Sequence, residues 1–162
     1  FATHGLVTQA RSSCPPEPSL VTSFAPTETS DGLLTFGDIF DLKLDADLVI
    51  LSACDTASAA GVTASQEAGV TGGDSALDGL VRAFVGAGTR TVVASHWPVP
   101  DDFQATQRLI SGMFRAADGG NLGDALLRAQ TALMDDAQTS HPYYWSGFAI
   151  IGDAGQRVVS AD

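Results

Sequence analysis

The chain has 162 residues, of which 44% are hydrophobic, and it carries 19 acidic against 8 basic residues. A chain of this length can bury one full core but is too short for two ordinary domains. The formal net charge of −11 disfavours nucleic acid and anionic lipid as partners, because both require clustered Lys and Arg side chains. We therefore expect one domain over residues 1–162 that binds neither nucleic acid nor membrane.

The sequence shows no feature of a membrane or secreted protein. No apolar run approaches the roughly 20 residues needed to cross a bilayer, and no basic-then-apolar leader opens the chain. The two cysteines, Cys14 and Cys54, do not resemble a disulfide framework, so we expect a reducing, cytoplasmic environment. The chain starts without Met at Phe1-Ala2-Thr3, which resembles the end of a buried strand. We expect the C-terminal portion of a longer protein whose upstream strands are missing.

The first predicted elements surround a Pro-rich segment. Residues 9–30 are rich in Ser, Thr and Pro, which disfavours regular structure, although residues 20–24 are a candidate short edge strand. Residues 32–36 are its candidate hairpin partner, and residues 38–42 are a candidate helical turn. Residues 46–54 form a continuous apolar run rich in branched side chains, which is typical of a strand buried on both faces. This run predicts the central strand of a sheet.

A long loop, a helix and a second strand follow. Residues 57–74 are small and polar, which indicates a flexible surface loop. Apolar residues at helical spacing between 77 and 85 predict a helix after it. Residues 91–95 predict a second buried strand.

Two further helices and a third strand complete the pattern. Asp101 or Asp102 is the expected N-cap of the first helix and Asn121 that of the second. We assign these residues to the apolar faces of the two helices: Phe103, Ile110, Met113 and Phe114 in the first, and Leu122, Leu126, Leu133 and Met134 in the second. A third strand is predicted at residues 145–152. Strands that alternate with helices imply an α/β fold with a mostly parallel central sheet and helices on both faces, and a site at the carboxyl ends of the strands.

Two reactive side chains follow predicted strands, His4 after Phe1-Ala2-Thr3 and Cys54 at the end of the central strand. If the two strands are parallel neighbours, both groups emerge at the same edge of the sheet. An imidazole can take the proton of a thiol, and Gly5, which has no Cβ, lets its amide approach a scissile carbonyl. The amides of Gly5 and Cys54 are then candidates for an oxyanion hole. From these residues alone, an inert buried cysteine is an equally good interpretation.

Four spaced segments of the chain resemble the CHAT family of caspase-like proteins in residue type and in order. They are Ala2-Thr3-His4-Gly5, residues 46–56, Trp97-Pro98-Val99 with Asp102, and residues 141–145 closing on Gly152-Asp153. The resemblance implies a caspase-like three-layer sandwich and a cysteine endopeptidase with His4 and Cys54 as its catalytic dyad and no cofactor. It also implies a regulated effector that acts on a protein or peptide substrate and carries helical repeats or another sensor upstream. The alternative is a non-catalytic interaction or signalling module with the same fold.

Further polar residues are weaker candidates for substrate binding. Asp55 directly follows the nucleophile and either faces a basic side chain of the substrate or caps the next turn. Together with Asp101 and Asp102, it motivates a preference for Arg or Lys before the cleaved bond. His96 stands where the family usually has an apolar residue, just before Trp97. It either approaches the site as a second polar group or bonds to a loop carbonyl.

The remaining aromatic and histidine residues have two open interpretations. Trp97, Tyr143, Tyr144 and Trp145 are either a recognition cluster or structural packing at strand ends. His141 is expected in a loop. The three histidines and Cys54 lack the short spacing of structural zinc ligands, so we expect no metal.

Overall fold

Residues 2–7, 18–22, 31–54, 76–97, 102–115 and 120–158 are described by a computed structural model. They form a mixed α/β structure, as the alternating pattern predicts. The chain divides into two compact units, Phe1–Pro98 and Val99–Asp162. Some predicted features lie outside the described residues: Cys14, Asp55, Asp101 and the loop at 57–74.

The strands of the first unit pair in a sheet of mixed direction. They are β1 (Ala2–Val7), β2 (Pro18–Val21), β3 (Leu33–Thr35), β4 (Leu48–Cys54) and β5 (Thr91–Ser95). They lie in the order β3-β2-β1-β4-β5, with β1/β4 and β4/β5 parallel and β1/β2 and β2/β3 antiparallel. The apolar run at residues 46–54 is therefore a central strand, as predicted, because β4 has a parallel neighbour on each side.

β2 differs from the edge strand that the sequence predicts at residues 20–24. It begins at Pro18 and pairs with β1 on one side and with β3 on the other. The prediction of an edge strand is wrong because β1 continues to Val7 and covers that side of β2. Pro18 is tolerated here because it stands at the first residue of the strand, where a missing backbone N–H disturbs the ladder least.

Two helices lie in the part of the first unit that the structure describes. α1 (Phe36–Asp41) begins two residues before the predicted turn, because Thr35 and Asp38 form a capping box. The Thr35 hydroxyl accepts from the Asp38 N–H at 3.2 Å, and the Asp38 carboxylate accepts from the Thr35 N–H at 3.0 Å. The hydrogen bond from the Thr35 backbone, followed by that from its hydroxyl, lowers the pKa of Asp38.

α2 (Ala76–Gly86) confirms the helix predicted after the long loop. It contacts α1, β2 and β5, and Leu80, Ala83 and Phe84 are fully buried on it. The chain leaves the helix at Gly88, whose φ is 108°, and a Cβ at this position would collide with the carbonyl oxygen of Leu44. Glycine is required there for both reasons.

Residues 102–115 and 120–158 of the second unit contain two helices, two 3-10 turns and a strand. In chain order they are a turn at Asp102–Gln104, α3 (Ala105–Arg115), α4 (Leu122–Met134), a turn at Pro142–Tyr144 and β6 (Phe148–Gly152). α3 and α4 pack together, and a Cβ at Gly112 would lie 3.3 Å from the Cβ of Ala129. The predicted N-cap of α4 is confirmed, since Asn121 Oδ1 accepts from the Asp124 N–H at 2.8 Å.

The predicted apolar faces of α3 and α4 each need one correction. Phe103 is 48% exposed, because α3 starts only at Ala105 and buries Ala105, Leu109 and Met113 instead. Asp102 accordingly lies in the preceding 3-10 turn rather than at the N-cap of α3. Met134 is 43% exposed, because it follows the buried Leu133 by one residue and so points about 100° away around the helix.

β6 is shorter than the strand predicted at residues 145–152, because residues 145–147 form a turn. None of the helices in the described part of the chain is both long and apolar enough to cross a bilayer.

Candidate active site

The pairing of β1 with β4 ends at the two residues that the sequence singles out as reactive. The register pairs Ala2 with Ser52, Thr3 with Ala53, and His4 with Cys54. Neighbouring strands in a sheet lie about 4.8 Å apart. The parallel pairing of β1 and β4 therefore places the backbone positions of His4 and Cys54 side by side, although they are far apart in the sequence.

His4 does not follow the end of its strand, as the sequence predicts, but lies inside it. β1 continues to Val7, and its last three residues pair antiparallel with β2. The strand thus exchanges partners: it pairs with β4 up to His4 and with β2 from Gly5, the register partner of Leu20. Cys54, in contrast, is the last residue of β4, as predicted. Gly5 is the first residue of β1 beyond the ladder with β4.

β5 brings His96 and Trp97 to the same edge of the sheet as Cys54. It runs parallel to β4, with a register from Leu48 opposite Thr91 to Leu51 opposite Ala94. The carboxyl ends of β4 and β5 therefore point to one edge. His96, which is exposed, and Trp97, which is half-buried, directly follow β5 at this edge.

Sequence reasoning missed Ser95, the last residue of β5. Its side chain is 1% exposed, and its hydroxyl has no hydrogen-bond partner among the residues that the structure describes. A buried hydroxyl without a partner costs about 1–3 kcal/mol, so its presence needs a reason. A polar residue at the carboxyl end of a buried parallel strand was the available signal.

Of the three acidic candidates, Asp55 and Asp101 lie outside the described residues and Asp102 belongs to the second unit. Asp102 is exposed and opens a 3-10 turn. The next two residues, Phe103 and Gln104, have φ values of 55° and 54°. Non-glycine residues in this left-handed region cost about 1–2 kcal/mol each, so this turn is strained.

The segment from His141 to Trp145 is held by its own hydrogen bonds. His141 lies in a turn, as predicted, and its Nδ1 accepts from the Tyr143 N–H at 3.2 Å. The Trp145 indole donates to the Ser140 carbonyl at 3.1 Å, and the Trp145 carbonyl accepts from Gln130 of α4 at 3.0 Å. His141 and Trp145 therefore have structural roles in the second unit.

One ion pair links α3 to the residues after α4. Arg108 Nη2 lies 2.8 Å from Asp136 Oδ2, and Asp136 Oδ1 accepts from the Gln138 N–H at 2.9 Å. The hydrogen bond from the Gln138 backbone, followed by that from Arg108, lowers the pKa of Asp136. Asp136 thus stays ionised and fixes the Arg108 side chain.

The first unit is therefore an α/β structure with a candidate cysteine and histidine site at the carboxyl ends of its parallel strands. The sequence matches the CHAT domain over residues 1–153, so the chain belongs to this family and the predicted resemblance is confirmed. The CHAT domain is a caspase-like family related to cysteine peptidases.

Two curated proteins illustrate the similarity. Tetratricopeptide repeat protein 28 of Mus musculus is 35% identical over 124 residues, and the Homo sapiens protein of the same name is 32% identical over 121 residues. Each alignment covers 74% of this chain. The chain spans about 4% of the length of these relatives.

Proposed function

We propose that this chain is a cysteine endopeptidase that cleaves a protein substrate, with Cys54 as nucleophile and His4 as its base. The observation that carries the proposal is the register of β1 and β4, in which His4 is opposite Cys54. A thiol attacks well only as thiolate, and an imidazole with an ordinary pKa of about 6.5 can accept its proton at neutral pH. Membership of a family related to cysteine peptidases supports the same assignment.

The proposed reaction has two steps. His4 takes the thiol proton of Cys54, and the thiolate attacks the carbonyl carbon of the peptide bond. The carbon–nitrogen bond then breaks, with the proton passing from His4 to the departing amine, and a thioester remains on Cys54. Water, deprotonated by His4, hydrolyses the thioester and restores the thiol.

The amides of Gly5 and Cys54 are the proposed oxyanion hole. Each tetrahedral intermediate carries a negative oxygen that two backbone N–H groups can stabilise. Gly5 suits this role because it has no Cβ to keep the substrate away, and because it directly follows the last position of β1 that pairs with β4.

Substrate recognition is proposed for four residues beyond the dyad. His96 and Trp97 leave the sheet at the edge where β4 ends, which favours contact with residues near the cleaved bond. Asp55, next in sequence to the nucleophile, and Asp102 are proposed to favour Arg or Lys before that bond. Selection of acidic or apolar residues there by a peptide library would refute this preference.

The larger architecture is proposed by family likeness. We infer a single caspase-like domain over residues 1–162, with a three-layer sandwich of helices on both faces of the sheet. Tetratricopeptide repeat proteins among the relatives support helical repeats in the same protein, which would regulate the peptidase as a sensor.

The proposal is tested by cleavage of a proteome-derived peptide library, with new N termini identified by mass spectrometry. The full-length protein and its Cys14→Ala variant are expected to cleave, whereas Cys54→Ala and His4→Ala are expected to be inactive with unchanged melting temperatures. Cys14→Ala is the matched control for loss of a thiol. Cleavage that persists in either dyad variant would refute the assignment. No cleavage by the activated full-length protein would favour the non-catalytic interaction module.

A further inference from the structure

Three aromatic rings of the second unit meet while remaining open to solvent. The Tyr144 ring lies 5.8 Å from that of Phe103 and 5.6 Å from that of Tyr143, at interplanar angles of 65° and 70°. Phe103 is 48% and Tyr143 45% exposed, and Tyr144 is half-buried. Tyr144 is thus the central ring of a cluster whose two flanking rings stand steeply against it. Rings at such angles can present more than one face to a single ligand.

The backbone that carries Phe103 is strained, and the strain does not serve to bury the ring. Phe103 and Gln104 both lie in the left-handed region, so α3 begins after them and Phe103 is directed to Tyr144 rather than to the helix face. Strained turns persist where the surrounding structure determines them, and they concentrate at ligand sites. A strained turn that exposes an aromatic ring is therefore evidence for a binding role.

The two tyrosines stand on a turn that is ordered before any ligand arrives. Pro142 occupies the first position of this 3-10 turn, and His141 caps it through the Tyr143 N–H. The Ser146 hydroxyl donates to the Pro142 carbonyl at 2.9 Å and closes the turn. A receptor that is already ordered loses less conformational entropy on binding.

The charge of the surroundings decides which ligand suits this cluster. Asp102, exposed, directly precedes Phe103, and the chain as a whole has a net charge of −11. Aromatic faces attract a cation within about 6 Å of the ring centre, and a nearby carboxylate adds to this attraction. An anionic or purely aliphatic ligand would gain neither interaction.

We propose that Phe103, Tyr143 and Tyr144, with the carboxylate of Asp102, bind the cationic side chain of an Arg or Lys residue in a partner protein. All four residues belong to the second unit. Asp102 is shared with the proposed substrate preference, but binding of a cation at the rings requires no cleavage at Cys54. A failed cleavage experiment therefore leaves it intact, and its own failure leaves the proposed peptidase intact.

The test is ligand-observed saturation-transfer NMR on the full-length protein with the peptide acetyl-Gly-Arg-Gly-amide and its Lys analogue. The neutral controls are the same peptides with citrulline or norleucine at the central position. We expect saturable binding of the cationic peptides and at least about fivefold weaker binding of the neutral ones. Equal binding of the Arg and citrulline peptides, or no saturable binding of either, would overturn the proposal.

Matched variants assign the binding to this cluster. Phe103→Leu and Tyr143→Leu are each expected to weaken binding about threefold to tenfold, and Asp102→Asn to weaken it and reduce its salt dependence. Phe40→Leu removes an aromatic ring that is 54% exposed in the first unit and is expected to have no effect. Phe103→Tyr keeps a ring and is expected to keep binding, which separates loss of the ring from loss of structure. Equal effects of Phe103→Leu and Phe40→Leu would refute the assignment.

Discussion

His4 of β1 and Cys54 of β4 occupy paired positions in two parallel strands, and the ladder between these strands ends at this pair. Beyond it, β4 stops, while β1 continues by pairing with β2. The pair therefore stands where one strand ends and its neighbour exchanges partners. In open α/β sheets, sites form outside the carboxyl ends of the parallel strands, because the chain leaves the sheet there and frees space for a ligand.

The first prediction concerns the reactivity of Cys54. If His4 activates it, the thiol has a lowered pKa, because the imidazolium stabilises the thiolate. The alkylation rate of Cys54 by iodoacetamide then reaches half its maximum below about pH 7. That of Cys14 reaches half its maximum near pH 8.5, which is about the ordinary pKa of a thiol. Mass spectrometry of the two cysteine peptides across a pH series measures both midpoints of alkylation. His4→Ala is expected to raise the midpoint of Cys54, and His96→Ala to leave it in place. Identical midpoints for Cys54 and Cys14 would contradict the dyad.

The second prediction concerns the buried hydroxyl of Ser95. Ser95→Ala removes a group without a hydrogen-bond partner in the described part of the chain, so the free energy of unfolding should stay the same or rise by about 1 kcal/mol. Thr89→Val is the matched control, since the Thr89 hydroxyl is also buried without a described partner. A role for Ser95 at the site predicts that only Ser95→Ala slows peptide cleavage. Urea unfolding checks the stabilities, and a clear loss of stability in Ser95→Ala would contradict the assigned lack of a partner.

The third prediction concerns the exit from α2. Gly88→Ala should lower the free energy of unfolding by about 2 kcal/mol or more, because alanine is strained at a φ of 108° and its Cβ collides with the Leu44 carbonyl. Gly37→Ala is the control, an exposed position within α1 where alanine favours the helix by up to about 1 kcal/mol. Urea unfolding of both variants measures the difference. Equal stabilities would refute the requirement for glycine at Gly88.

The fourth prediction is a pH dependence. The pKa of Asp136 is lowered in the folded state, so this carboxylate contributes stability above its unfolded pKa of about 3.9, and the contribution is lost as the pH falls through the lower folded value. Asp136→Asn should therefore lower the melting temperature at pH 7, and the difference from wild type should shrink below about pH 4. Asp135→Asn, at the exposed preceding residue, is the control and should change little. A difference in melting temperature between Asp136→Asn and wild type that does not change with pH would contradict this account.

Local sequence patterns predicted those elements whose structure depends mainly on their own residues. Four consecutive branched apolar residues at the start of β4, Leu48–Leu51, favour a strand that is covered on both faces. Asn121 offers a side-chain oxygen to the first free N–H groups of α4, so the start of that helix was also predictable. Phe103 shows the opposite case. Its hydrophobicity suggested a core position, but the left-handed turn exposes it, and no sequence pattern predicts that conformation at a residue other than glycine.

The sequence by itself determined the α/β class, the central strand and the membership in the CHAT family, and it pointed to His4 and Cys54 as the candidate pair to examine. Only the tertiary structure decided that these two positions are register partners, that β1 exchanges β4 for β2 after His4, and that Ser95 ends β5 with a buried hydroxyl. The physical reason is that hydrophobic periodicity reports how a segment is buried. Strand pairing depends instead on backbone hydrogen bonds between distant segments, and nearly every residue type can make these equally well.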